Sequence, residues 1–305
     1  MTERDLPTAL ASISPAERAV FHTLAYFEIF SYPLTTMELW AFCATRSTEE
    51  IVRAAVCEWV ESGLAFQFGP YIQLSNDPSW VERRLDYNRR ASEFLPTARR
   101  MARFIGAFPF IRGVFVSGSL SKHCMAPDGD VDFFILTTPG RLWLARSILV
   151  FFKKIFLFNS HKYFCINYFL DTDHLEIEEK NHFTATETVT MLPMYGQAEY
   201  VRFCQANNWA WAMLPNFRPR LTDNVPQSSS PFLKKLLERL LSGRLGEWLD
   251  VRAMRLTVKY WRRKFHHFSS DKFDAALKSR RHVSKHHPLH FQERVLRAWE
   301  ARINL

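Results

Sequence analysis

The residues with the clearest chemical potential lie between positions 114 and 136, in the run VFVSGSLSKHCMAPDGDVDFFIL. An apolar stretch ends in Gly118-Ser119. Glycine there lets the backbone approach a ligand closely, and serine adds a hydroxyl beside amides that can cradle phosphate oxygens. Eleven residues after Ser119, Asp130 and Asp132 stand two apart at the head of a second apolar stretch. In a strand, a spacing of two turns both carboxylates to one face, where they can share a hard divalent ion such as Mg²⁺ or Mn²⁺. Lys122, one turn past Ser119, is a cation within reach of the same place.

Gly118-Ser119 followed by Asp130-x-Asp132, each joined to an apolar strand, resembles the Gly-Ser … Asp-x-Asp signature of the polymerase-beta-like nucleotidyltransferase superfamily. The similarity covers about 25 residues, with compatible flanking elements across roughly 100. It implies that Gly118 and Ser119 hold a nucleoside triphosphate, that Lys122 neutralises its β- or γ-phosphate, and that Asp130 and Asp132 bind Mg²⁺ or Mn²⁺. The implied reaction moves a nucleoside monophosphate, AMP from ATP by family analogy, to an unidentified small molecule, protein or RNA, with release of pyrophosphate. Such catalysis is mostly positioning and electrostatics.

The family commonly supplies a third carboxylate from a neighbouring strand. In KYFCINYFLD (162–171) the central polar position is Asn167. An amide cannot act as a general base and binds metal more weakly than a carboxylate. Asp171 shares the strand parity of Asn167 and is a candidate substitute, with Asp173, Glu176 and Glu178 just beyond. Two other functions therefore stay open: a nucleotide-binding regulatory protein with weak turnover, and an RNA binder that uses its basic C-terminal region.

These residues need a scaffold, and the periodicities point to a mixed α+β class, with a helical region at the end; the resemblance implies a palm-like sheet with flanking helices, and the order of the first elements resembles a winged helix. Residues 1–78 hold three helical stretches and a hairpin, Leu64–Phe68 and Tyr71–Leu74 around Gly69-Pro70, in the order of a winged helix-turn-helix domain. Thr35 or Thr36 is the expected cap of the second helix, and Ser47 with Glu50 that of the third. Residues 79–220 are expected to form the nucleotidyltransferase domain that the resemblance implies. It opens with an Arg-rich helix over Trp80–Ile105, whose Arg83, Arg84, Arg89, Arg90, Arg99 and Arg100 are expected to face solvent and whose Pro96 is expected to break or kink it. Strands Gly113–Ser117, Val131–Thr137 and Tyr163–Leu170 follow, with a helix over Leu142–Phe158 and a less regular stretch afterwards. Residues 221–305 form a linker and a basic helical region. In it Phe232, Leu236, Leu237, Leu240 and Leu241 stripe one helix, the aromatic side of Lys259–Phe268 is expected to pack on the protein, and Ser284–Pro288 is expected to be a solvated loop.

Charge narrows the partners. The formal charge is +9, and Val251–His290 alone carries eleven Lys/Arg against two Asp, so attraction for polyanions belongs to the C-terminal region. The third helix, Ser47–Gly63, has four glutamates against Arg53, and its hairpin has no Lys or Arg, which argues against DNA reading. Five scattered cysteines without a CxxC pair read as reduced thiols. The opening residues lack an apolar signal core and Leu142–Phe158 carries three cations, so the expectation is a cytoplasmic protein with no membrane partner.

Overall fold

The computed structural model describes residues 14–156, 164–287 and 291–304. The acidic start of the chain, the last residues of the expected Leu142–Phe158 helix, Tyr163 and Pro288 lie outside them. The fold is mixed α+β.

The N-terminal part begins with α1 (Pro15–Glu28), closed by a capping box in which the Ser14 hydroxyl accepts from Glu17 N and Glu17 accepts from Ser14 N. Strand β1 (Leu34–Thr35) leads into α2 (Thr36–Phe42), where Thr35 and Glu38 repeat that box. Helix α3 (Glu49–Glu61) is capped by Thr48, one residue later than Ser47, because the Thr48 hydroxyl accepts from Ile51 N. Strands β2 (Phe66–Phe68) and β3 (Tyr71–Gln73) join β1 in a three-stranded antiparallel sheet of order β1-β3-β2.

Helix α4 (Ser79–Gly106) runs on through Pro96 without a break. Its arginines are not one solvated face. Arg84 is 4% exposed, donates to Pro33 O and Glu38 Oε1, and lies over the rings of Tyr32 and Tyr71. It ties α4 to the N-terminal part. Arg89 and Arg90 pair with Asp86 on the surface.

The main sheet runs, from one edge to the other, β7 (Leu192–Tyr195), β4 (Ile111–Ser117), β5 (Asp132–Thr137), β6 (Cys165–Asp171), β9 (Val283–Lys285) and β8 (Ser279–Arg280). Strand β4 (Ile111–Ser117) pairs antiparallel with β5 (Asp132–Thr137), which pairs parallel with β6 (Cys165–Asp171). Helix α6 (Leu142–Phe156) makes the crossover's descending arm, and the four-residue α5 (Gly118–Ser121) turns the chain off β4. Alternation sets the two faces. Val114, Val116, Phe133 and Ile135 pack under α4 and α6, whereas Phe115, Phe134 and Leu136 meet Tyr200 and Phe203 of α8 (Gln197–Ala206).

The stretch after β6 is more regular than its sequence suggests. It contains α7 (His182–Thr190), β7 (Leu192–Tyr195), α8 and α9 (Asn208–Met213). Ala185 and Val189 of α7, Ala210 of α9 and Leu214 just after it complete the core of α1–α3, joined by Val295 of α13 (Phe291–Ile303).

The C-terminal region departs from expectation in two ways. First, it is not purely helical. After α10 (Phe232–Leu240), α11 (Arg244–Lys264) and α12 (Ser270–Ala276), strands β8 (Ser279–Arg280) and β9 (Val283–Lys285) extend the main sheet, β9 pairing antiparallel with β6. Ser284 and Lys285 are consequently buried, where a solvated loop was expected. Second, the apolar stripe of α10 mostly faces outward, with Lys234 buried beneath it. The aromatic side of α11 does pack inward: Trp261 is buried and Arg146 lies 4.7 Å over its ring.

Candidate active site

Antiparallel pairing sets Ser117 opposite Asp132, so the end of β4 and the start of β5 meet at one point. There the chain leaves β4 through Gly118, whose φ of +68° lies in the left-handed region that favours glycine. A Cβ on Gly118 would stand 2.5 Å from Asp132 Oδ2. The carboxylate thus rests directly against the bare backbone.

Parallel pairing sets Cys165 opposite Asp132 on the other side. One ligand atom each from Asp130, Asp132 and Cys165 lies within 4.8 Å of the others. Asn167 Nδ2 donates to Asp132 Oδ1 at 3.1 Å and to Cys165 Sγ at 2.9 Å. Asn167 therefore reaches the carboxylate pair, as a hydrogen-bond donor.

The electrostatics follow from this crowding. Burial, then the charge of Asp130, and more weakly that of Glu187, push the Asp132 carboxyl up to about 7, against hydrogen bonds from Cys165 and Asn167. Burial and the Asp132 and Asp130 charges also raise the Cys165 thiol. Lys153, buried on α6, is lowered by burial, while Cys165 and Asp130 counteract that effect. A divalent cation would relieve this accumulation of negative charge.

Two residues came unannounced. Cys165 is one; the other is Glu187 on α7. Glu187 Oε2 accepts from Gly118 N at 3.0 Å and Oε1 from Lys122 Nζ at 2.6 Å, while Lys122 Nζ also donates to Gly118 O at 3.1 Å. The carboxylate engages both the backbone amide and the ammonium that the phosphate reading assigns to a triphosphate. Its signal in the sequence was a lone acid in the helical stretch HFTATETVT, visible only in hindsight because nothing local says what it meets. Ser119 lies exposed on the first turn of α5.

Asp171 is not brought to this place. The β5–β6 register steps from Phe133–Ile166 to Phe134–Tyr168 and leaves Asn167 as a bulge. The extra residue reverses the parity of the rest of β6, so Asp171 does not share a face with Asn167. It pairs with Thr137, five residues along from Asp132, or roughly 17 Å at strand rise. There it is buried and accepts from the amides of Asp173 and His174, closing a turn.

The loop after α5 is held from outside the sheet. Tyr32 OH donates to Lys122 O at 2.9 Å, Met125 N donates to Tyr87 O at 3.1 Å, and Ser92 Oγ lies 3.1 Å from His123 Nε2. Comparison with protein-family models, curated proteins and solved structures gives no match, so the function must be argued from the site. Among the described residues, no helix is long and apolar enough to cross a membrane.

Proposed function

We propose that this chain is a metal-dependent nucleotidyltransferase with Asp130 and Asp132 as its metal ligands. One observation carries the proposal: two carboxylates and a positive-φ glycine meet at the facing ends of β4 and β5, with a lysine hydrogen-bonded to that glycine's carbonyl. The donor set fits a hard divalent ion through its two carboxylates; the Cys165 thiol adds a softer donor that Mg²⁺ does not favour. When bound, the ion supplies charge neutralisation and Lewis-acid polarisation of phosphate oxygens.

The chain's own groups do the rest. Gly118 N and Lys122 Nζ turn from Glu187 to the phosphates, with Ser119 at the mouth. An acceptor oxygen attacks the α-phosphorus, the bond to the β-phosphate bridging oxygen breaks, and pyrophosphate leaves. Asn167 cannot take the acceptor's proton, so a carboxylate oxygen of Asp130 or Asp132 that is not on the metal would accept it. ATP as donor rests on the family resemblance alone.

The test is incubation with each α-³²P-labelled nucleoside triphosphate, Mg²⁺ or Mn²⁺ and a cell extract, beside the Asp130→Asn/Asp132→Asn double variant. Label on an acceptor that requires both aspartates supports the transferase. Nucleotide binding without transfer favours a regulatory protein. Asn167, at the position where a third carboxylate was expected, and Glu187, on the phosphate donors, are the specific observations for that second reading.

A further inference from the structure

Helix α10 is seated by its polar residues and turns its apolar ones to the outside. Lys234, 1% exposed, donates to Gly106 O, Ile111 O and Ser229 O. Glu238 accepts from Phe110 N at 2.6 Å and pairs with Arg112 at 2.8 Å. Opposite these anchors Phe232 is 81% exposed, Leu233 65%, Leu236 42% and Leu240 64%. At about 100° per residue these four side chains fall within an arc of roughly 100°. The exposed Lys235 and Arg239 border one side of the arc, and the first turns of α11 also expose Leu245 and Trp248 beside Arg244 and Arg252.

We propose that α10 and the first turns of α11 form a docking face for an anionic lipid bilayer. An exposed apolar arc bordered by cations, with a tryptophan beside it, is the pattern of a helix lying in a membrane interface. Charge decides between occupants. A second copy in a two-fold contact would set this patch against itself and crowd the Lys235, Arg239 and Arg244 charges of both copies into one interface. RNA would satisfy the cations and leave Phe232 and four leucines, Leu233, Leu236, Leu240 and Leu245, without a partner. An anionic bilayer takes both, the apolar side chains entering the acyl boundary and the cations meeting headgroups. Binding through one nine-residue helix and its neighbour is peripheral and reversible. This departs from the expectation of no membrane partner, and it is independent of the nucleotidyl-transfer proposal.

The experiment is co-sedimentation of the full chain with phosphatidylcholine vesicles that contain or lack phosphatidylglycerol. Two variants accompany it, Phe232→Ser/Leu233→Ser/Leu236→Ser and Lys235→Glu/Arg239→Glu, with circular dichroism confirming the fold of each. Expected is roughly tenfold more protein on anionic than on neutral vesicles, weakened by salt and reduced several-fold by either variant. Absent or equal binding to the two vesicle types overturns the proposal. So does binding to anionic vesicles that only the charge variant removes, or a concentration-dependent dimer in light scattering that the serine variant abolishes. RNA retention that survives the serine substitutions and is lost on charge reversal would assign the face to RNA instead.

Discussion

Asp132 is held in its site against burial and the charge of Asp130. Its carboxyl titrates near 7 in the fold and near 4 in an unfolded chain. The folded state therefore binds the proton more tightly, and this contribution to stability is present below about pH 4 and lost as pH rises through 7. Asp132→Asn removes that titration. In chelator it is expected to match the wild type near pH 4 and to exceed it by roughly 1 to 4 kcal/mol at pH 8, the span reflecting partial solvent screening of a half-buried group. Urea unfolding at the two pH values measures this directly, and equal stability at pH 8 would refute it. The same substitution is expected to abolish label transfer, so stability and activity should move in opposite directions. Gly118→Ala acts at the same point by shape: it forces an L-residue to positive φ and drives a methyl into Asp132 Oδ2. A loss of about 2 kcal/mol in thermal unfolding is expected.

Helix α7 links the site to the N-terminal part. One side of it buries Ala185 and Val189 in the core of α1–α3, and the other carries Glu187 to Gly118 and Lys122. Tyr32, just after α1, holds the carbonyl of the same lysine. Two elements of the N-terminal core thus bear on the loop that would hold phosphate. Because Glu187 competes for the donors a phosphate needs, Glu187→Gln is expected to raise affinity for inorganic tripolyphosphate about tenfold, equivalent to ~1.4 kcal/mol. Isothermal titration calorimetry on the full chain reads it. An unchanged or weaker affinity would mean that Glu187 orders the cradle rather than occupying it.

The C-terminal elements brace two other parts of the fold. Strand β9 covers the outer edge of β6, and His286 N donates to Asn167 O at the bulge itself. Trp299 of α13 donates to His22 O of α1. Strand β9 and helix α13 therefore support the sheet edge beside the site and the N-terminal core, respectively. Truncation after Lys278 uncovers the backbone of β6, a template for pairing with another chain. Aggregated or poorly soluble product on expression is the expected result, and a monomeric, cooperatively melting fragment would contradict it.

Local patterns carried much of this. Capping pairs such as Thr35 with Glu38, the alternation of β4 and β5, and the Gly118 and Asp130–Asp132 spacing were legible because each rests on residues near one another in sequence. Gly118 and Asp132 meet because their strands are consecutive and antiparallel, which leaves few places for the intervening loop to put them. Asp171 failed because a single bulged residue inverts strand parity, and a bulge is set by the partner strand. Glu187, Cys165, the sheet position of β9 and the outward face of α10 were hidden for a shared reason. Each depends on which distant segment packs beside it, and a hydrophobic stripe states only that a side is apolar. In α10 the buried lysine found three carbonyls and took the inside. Composition and short-range spacing determined the elements and the pair of carboxylates; long-range packing decided what surrounds that pair and which apolar surface was left for a partner.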